Sequence, residues 1–173
     1  MNPMKSEDKN FPHSEFRLKD WHNARFVFLG NKLTLALAKM YEAEFDLSQT
    51  EWRIIAALAE HAPMSAKDLA EFIAIDIFSI TRATSFLVKR GLLTRRVNQQ
   101  DRRKIELRLS ARGCKIYKKI VPVALGVEQA VFGVLSKNES DQLNVILSKL
   151  EEHIGTVLTP DRSWTSFLPD HES

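Results

Sequence analysis

The sequence predicts a mainly α-helical chain in which one β-hairpin interrupts a run of helices. Three observations carry that expectation. Apolar residues recur at three- and four-residue spacing over most of the length. Five segments open on a serine or aspartate suited to cap a helix. Only after Gly91 does the apolar period shorten to two.

Each element can be justified in order. Residues 1–13 are polar and read as a mobile arm. From Glu15 to Phe45 the stripe Phe26, Leu29, Leu33, Leu37, Met40 and Tyr41 marks a long first helix. Ser48 with Glu51 forms a capping box that opens a helix over 49–61, with Leu47 able to staple onto Trp52. Ser65 with Asp68 opens 66–73 in the same way, Met64 facing Leu69, and Pro63 punctuates the gap before it. Asp76 caps 77–90, with Ile75 set to pack on Ile80. Lys89 and Arg90 suit the negative end of that helix, and Gly91 suits the left-handed position beyond it. Ile105, Leu107 and Leu109 then alternate with Glu106 and Arg108 as a half-buried strand paired with Leu93–Val97. The connection Asn98–Arg103 gives the hairpin a basic tip. Ser110 caps the next helix, which carries Tyr117, Ile120, Val121, Ala124, Leu125 and Val131 and is bent at Pro122. Ser136 with Glu139 opens the last helix, striped by Leu143, Ile146, Leu147, Leu150, Ile154 and Leu158. Residues 159–173 read as a tail.

Composition narrows the class. A chain of 173 residues is one domain, or one unit with an extension. A single cysteine excludes an internal disulfide and suits a reducing compartment. No charge-free stretch exceeds eight residues, and Met1–Pro12 has no apolar signal region, so a soluble, cytoplasmic protein without a membrane partner is expected. The net charge of +3 conceals an asymmetry: residues 89–119 hold twelve cations against Asp101 and Glu106, leaving −7 for the remainder. Such a local excess is the footprint of a polyphosphate partner.

Three short helices followed by a hairpin make a winged helix-turn-helix, in which helix 77–90 enters the major groove of DNA. Ile80, Ala83, Leu87 and Val88 take its core face by helical spacing. Ser79, Thr81, Arg82, Ser85 and Lys89 face outward, with Arg82 able to fork onto a guanine. Arg102 and Arg103 stand at the wing tip, suited to a minor groove, and Asp101 is placed to hold a wing arginine by a paired hydrogen bond. With Ser65, Arg95 and Lys104, these complete the expected DNA contacts. The full expectation is a winged helix-turn-helix with long N- and C-terminal dimerisation helices, divided as 14–46, 47–109 and 110–158 between arm and tail.

Three runs resemble the multiple-antibiotic-resistance regulator (MarR) family of bacterial transcription factors. They are Ile80-Thr81-Arg82 leading through Leu87 to Lys89-Arg90-Gly91-Leu92-Leu93, the wing run Asp101-Arg102-Arg103-Lys104, and Leu107-Arg108-Leu109-Ser110-Ala111-Arg112-Gly113. The resemblance spans roughly residues 15–158. It implies a homodimeric repressor on double-stranded DNA with a pseudo-palindromic operator, released by a small aromatic carboxylate or phenolic effector. The first and last two helices would interlock between subunits, which suits their surplus of apolar surface. The effector cleft would be lined by the first and second helices, where Trp21, His22, Arg25, Phe26 and Trp52 supply aromatic faces and a cation; Trp21 and Trp52 equally suit core or interface positions. One departure is that Phe86 and Val88 stand where relatives often carry charge. Either the helix is slightly rotated, or Phe86 packs on the wing or on a thymine methyl.

Catalytic and metal-binding patterns are missing from the sequence. The five histidines show no metal-ligand spacing, and there is neither a phosphate-cradling glycine loop nor a serine elbow. No enzyme activity, cofactor or metal is therefore expected. Two alternatives to a ligand-released regulator remain at this level: a winged helix that docks on an acidic protein, and a switch through the thiol of Cys114. Against the second, Cys114 also suits a small inert residue packed beneath the wing.

Overall fold

A computed structural model describes residues 17–168. They divide into two compact units, the first ending at Lys119 and the second beginning at Ile120. The elements are α1 (His22–Phe45), α2 (Gln49–His61), α3 (Ala66–Ile73), α4 (Ile77–Lys89), β1 (Leu93–Val97), β2 (Ile105–Leu109), α5 (Ala111–Phe132) and α6 (Lys137–Val157). A short 3₁₀ turn, Trp164–Phe167, follows within the tail. The 1–13 arm lies outside the described residues. Among those residues no single helix is long and apolar enough to cross a membrane.

Helix starts are set locally. Ser48 accepts from the Glu51 N–H while Glu51 accepts from the Ser48 N–H, and Ser65 with Asp68 and Ser136 with Glu139 repeat the exchange. Asp76 accepts from the Ser79 N–H at 2.9 Å, and Ser110 Oγ from the Gly113 N–H at 3.0 Å. The first helix departs from expectation by starting at His22 rather than near Glu15. Residues 18–20 form a turn closed by the Asp20 N–H on the Arg17 carbonyl, and Trp21 supplies no side-chain cap. Arg17, Lys19 and Asp20 leave that stretch only Leu18 and Trp21 as apolar side chains, both about half exposed.

At its other end α4 stops as glycine dictates. Gly91 takes φ 70°, its N–H reaches the Val88 carbonyl, and the Leu92 N–H reaches Leu87. The chain then enters an antiparallel hairpin pairing Leu93 with Leu109 and Val97 with Ile105. One pairing was not legible beforehand: Met64, between α2 and α3, exchanges backbone hydrogen bonds with Leu107 at 2.8 and 3.3 Å. The hairpin is thereby stitched to the helices beneath it. Leu47, Ile54, Ile55, Leu58, Leu69, Ile80, Leu87, Leu92, Leu93 and Leu107 form the buried core of this lobe.

The hairpin root is also crowded against α5. A Cβ on Gly113 would stand 2.2 Å from the Leu92 carbonyl oxygen. Ser110 Oγ donates to the Gly91 carbonyl at 2.7 Å, and the Arg112 guanidinium to the Arg90 carbonyl at 3.2 Å. Tyr41, Trp52 and Tyr117 stack in series at 5.8 and 6.0 Å between ring centres, joining α1, α2 and the start of α5. Burial pushes the Tyr41 phenol up from its ordinary pKa.

Candidate nucleic-acid interface

Helix α4 is built so that one face is spoken for. Ile80, Ala83, Thr84 and Leu87 are buried, and the Thr84 hydroxyl donates to the Thr81 carbonyl. By helical spacing the opposite line runs through Phe78, Arg82, Ser85 and Lys89, all of them exposed. The cations fall where expected, whereas the hydroxyls are already in use. Thr81 Oγ1 donates to the Ile77 carbonyl at 2.7 Å. Ser79 gives its hydroxyl and its N–H to Asp76, holding that carboxyl below its ordinary pKa. Ser85 Oγ accepts from Arg95 Nη2 at 2.9 Å.

The last bond joins α4 to β1. Ser85 and Arg95, both expected at DNA, are thus paired with one another. Ser65 is occupied as well, capping α3 at 3.2 Å from the Asp68 N–H. Asp68 lies below the usual carboxylate range, first because it accepts the Ser65 N–H and hydroxyl, with a lesser pull from Lys104 and Lys67. Lys104 therefore faces a neighbouring negative charge.

At the wing tip Asn98 is the organiser. Its Oδ1 accepts the N–H groups of Gln100 and Asp101 at 2.8 and 2.7 Å, and its Nδ2 donates to Glu106 at 2.6 Å. Asp101 corrects the expectation: its carboxylate takes the backbone N–H of Arg103 at 3.0 Å rather than a guanidinium. That leaves the arginine side chains outward, because the aspartate shapes the loop and not the cation. The ion pairs among the described residues involve His61, Arg90 and Arg108, and leave Arg82, Lys89, Arg102 and Arg103 to solvent.

Arg90 and Phe86 resolve the departure noted in the sequence. The Arg90 guanidinium lies 5.4 Å over the Phe86 ring and binds Asp46, by an ion pair of 3.1 Å and a bond to its carbonyl. Phe86 thus packs with Arg90, and it lines a groove of about 380 Å³ with Ser48, Thr50, Ser79 and Arg82. The charge of Arg90 is committed to holding the end of α1 against α4.

The expected effector set is not brought together within one chain. His22, Arg25 and Phe26 line a groove of about 720 Å³ with Leu18, Leu29 and Lys32, and Trp21, half exposed, occupies the position just before the helix beside them. Trp52 is instead stacked on Tyr41, nineteen residues further along α1 than His22, or roughly 28 Å of helix rise. Its flat, apolar face serves packing, which composition could not distinguish from ligand contact. Cys114 is exposed rather than buried beneath the wing. Among the described residues no group of three histidine, cysteine or carboxylate side chains is placed to hold a metal.

Comparison with known proteins agrees with this fold. Residues 47–105 match the model of the MarR family. The HTH-type transcriptional regulator FarR of Neisseria gonorrhoeae is 30% identical over 105 residues, covering 61% of this chain and 72% of its own. A MarR/EmrR family regulator from Acinetobacter superposes with a TM-score of 0.76 at 23% identity, covering 82% of this chain and 99% of that one. The S. aureus regulator MepR, solved with DNA, gives 0.69 at 18% identity, covering 79% and 98%. Bordetella bronchiseptica BpsR, whose DNA binding is regulated by 6-hydroxynicotinic acid, gives 0.68 at 21%, covering 79% and 96%.

Proposed function

Since this chain belongs to the MarR family of DNA-binding transcriptional regulators, we propose that it acts as a homodimeric repressor, gripping a pseudo-palindromic operator through two winged helices and releasing it when a small aromatic or phenolic anion binds. The observation that carries the reading is the set of solvent-facing cations on α4 and the wing tip, linked through the Arg95–Ser85 bond. Such groups displace counterions from phosphates. Arg82 takes a guanine edge in the major groove, Lys89 a phosphate, and Arg102 and Arg103 the minor groove, with Lys104 a weaker contact beside Asp68. Ser85, Arg95 and Asp101 position these groups, while Ser65, Ser79 and Thr81 contribute through caps and turns. Family membership favours DNA over the acidic protein that the same charge would also suit.

Dimerisation is supported by α6, which has no buried residue and exposes Ile146, Leu150 and Ile154 along one stripe. A second copy covering that stripe removes the apolar area from water. The effector reading rests on the α1 groove, where Arg25, Lys19 and Lys32 surround Phe26 and Leu29. An anionic ring finds both charge and apolar contact there, and the regulation of BpsR by an aromatic acid supports the same chemistry.

The test is selection of binding sites from a random duplex pool at about physiological salt, followed by titration with 6-hydroxynicotinate and related acids. Sedimentation of wild type and Ile154→Glu accompanies it. Expected are an enriched inverted repeat with half-sites about one helical turn apart, release by at least one acid, and a dimer that Ile154→Glu splits. A pool without enrichment, or a wild-type monomer on DNA, overturns the reading.

A further inference from the structure

On a face otherwise made of cations and small polar groups, α4 presents one large apolar ring. Phe78, in the first turn of the helix, is 84% exposed, the most exposed aromatic ring among the described residues. Scattered apolar side chains on a surface need no explanation. This one differs in its position. It lies opposite the buried Ile80, Ala83, Thr84 and Leu87, and on one line with Arg82, Ser85 and Lys89. The N-terminal residues of such a helix are those that reach base edges.

Polar groups near Phe78 have other employment. Thr81 bonds within the helix, Ser79 bonds Asp76, and Ser85 bonds Arg95. In this half of α4 the side chains left to meet bases are Phe78 and Arg82. An aromatic ring in the major groove has one apolar partner among the bases, the C5 methyl of thymine. The flanking cations hold the duplex close enough for that methyl to be buried.

Resting on the DNA-binding reading above, we propose that Phe78 is a specificity-determining residue that recognises a thymine methyl in each half-site. Phe78 and Arg82 stand one turn apart, roughly 6 Å along the axis. With base pairs about 3.4 Å apart, the thymine lies one or two steps from the guanine that Arg82 reads. This contact selects thymine over cytosine without a hydrogen bond. Burying a methyl group displaces no counterion, so this contact does not weaken steeply with salt.

The experiment uses the full-length protein and the duplex enriched by selection. Each thymine in a half-site is replaced in turn by deoxyuridine, which keeps pairing and removes only the methyl. Wild type is expected to lose about fourfold in affinity at one such position, the worth of one buried methyl-sized group. Exchange in both half-sites should cost about fifteenfold. Phe78→Ala is expected to bind the thymine duplex more weakly and to be indifferent to the exchange, while its melting temperature stays at that of wild type. If wild type tolerates every exchange, or if Phe78→Ala keeps the same sensitivity, the assignment is overturned while the DNA-binding reading stands. If selection yields no enriched duplex, both fall together.

Discussion

Ser85 Oγ receives a hydrogen bond from Arg95 Nη2 at 2.9 Å, so α4 and the first strand of the hairpin are joined side chain to side chain. Two residues that each resemble DNA contacts in the sequence are bonded to one another. Their consequence is a fixed spacing between α4 and the wing.

That spacing predicts non-additivity. Arg103→Ala should weaken operator binding with little change in thermal stability, because its side chain is exposed. Ser85→Ala should weaken it too, by loosening the wing. In the double variant the losses should sum to less than the two alone, by about 0.5–1 kcal/mol in an anisotropy cycle. Strict additivity would mean that Ser85 and the wing act independently.

Arg82 and Lys89 share a face and should fail differently. Arg82→Ala should cost about 1–3 kcal/mol on the selected site and relax the base preference at one position. Lys89→Ala should lower affinity for all duplexes and reduce the salt slope by about one unit. Swapped signatures would exchange the two roles.

The wing tip depends on Asn98. Removing its carboxamide deprives the Gln100 and Asp101 N–H groups of their acceptor. Asn98→Ala should therefore reduce operator affinity about as much as Arg103→Ala, although Asn98 carries no charge. Hydrogen exchange at residues 100–104 should rise in the variant, and unchanged exchange would refute the role.

The Ser65–Asp68 cap gives the lobe an acid-sensitive component. Asp68 titrates below its unfolded value in the native state, so its contribution is present above about pH 4 and fades as the pH falls through the folded pKa. Ser65→Ala should lower stability by about 1 kcal/mol near neutrality. In urea titrations the gap between wild type and Asp68→Asn should narrow as the pH falls below about 4. A gap constant with pH would show that the carboxylate charge contributes nothing to the cap.

Helices α2, α3, α4 and α6 were legible because each start is written in four consecutive residues, as in Ser48 to Glu51. The hairpin was legible because alternation in Ile105–Leu109 has no helical equivalent. What escaped are relations between distant backbones or spent side chains. The Met64–Leu107 bridge joins main-chain groups that any residue carries. Arg90 and Asp46 are 44 residues apart, and nothing local distinguishes Arg90 from the cations that face solvent. The four hydroxyls of Ser65, Ser79, Thr81 and Ser85 have the composition of an interface, yet sequence does not record that each already takes part in a hydrogen bond. Phe78 escapes such a reading because an apolar residue on a helix resembles core.

Gly113 gives the wing an unexpected status as a transplantable part. The missing Cβ lets the start of α5 rest on the Leu92 carbonyl, while Ser110 and Arg112 bond back to Gly91 and Arg90. Residues 90–113 therefore form a closed clasp whose two ends fasten to each other. An engineer exchanging wings between scaffolds would need to move that whole cassette, since a cut inside it separates the glycine from the carbonyl it was shaped to meet. In a saturation library, position 113 should be as intolerant as a buried leucine, for want of space and not of hydrophobicity.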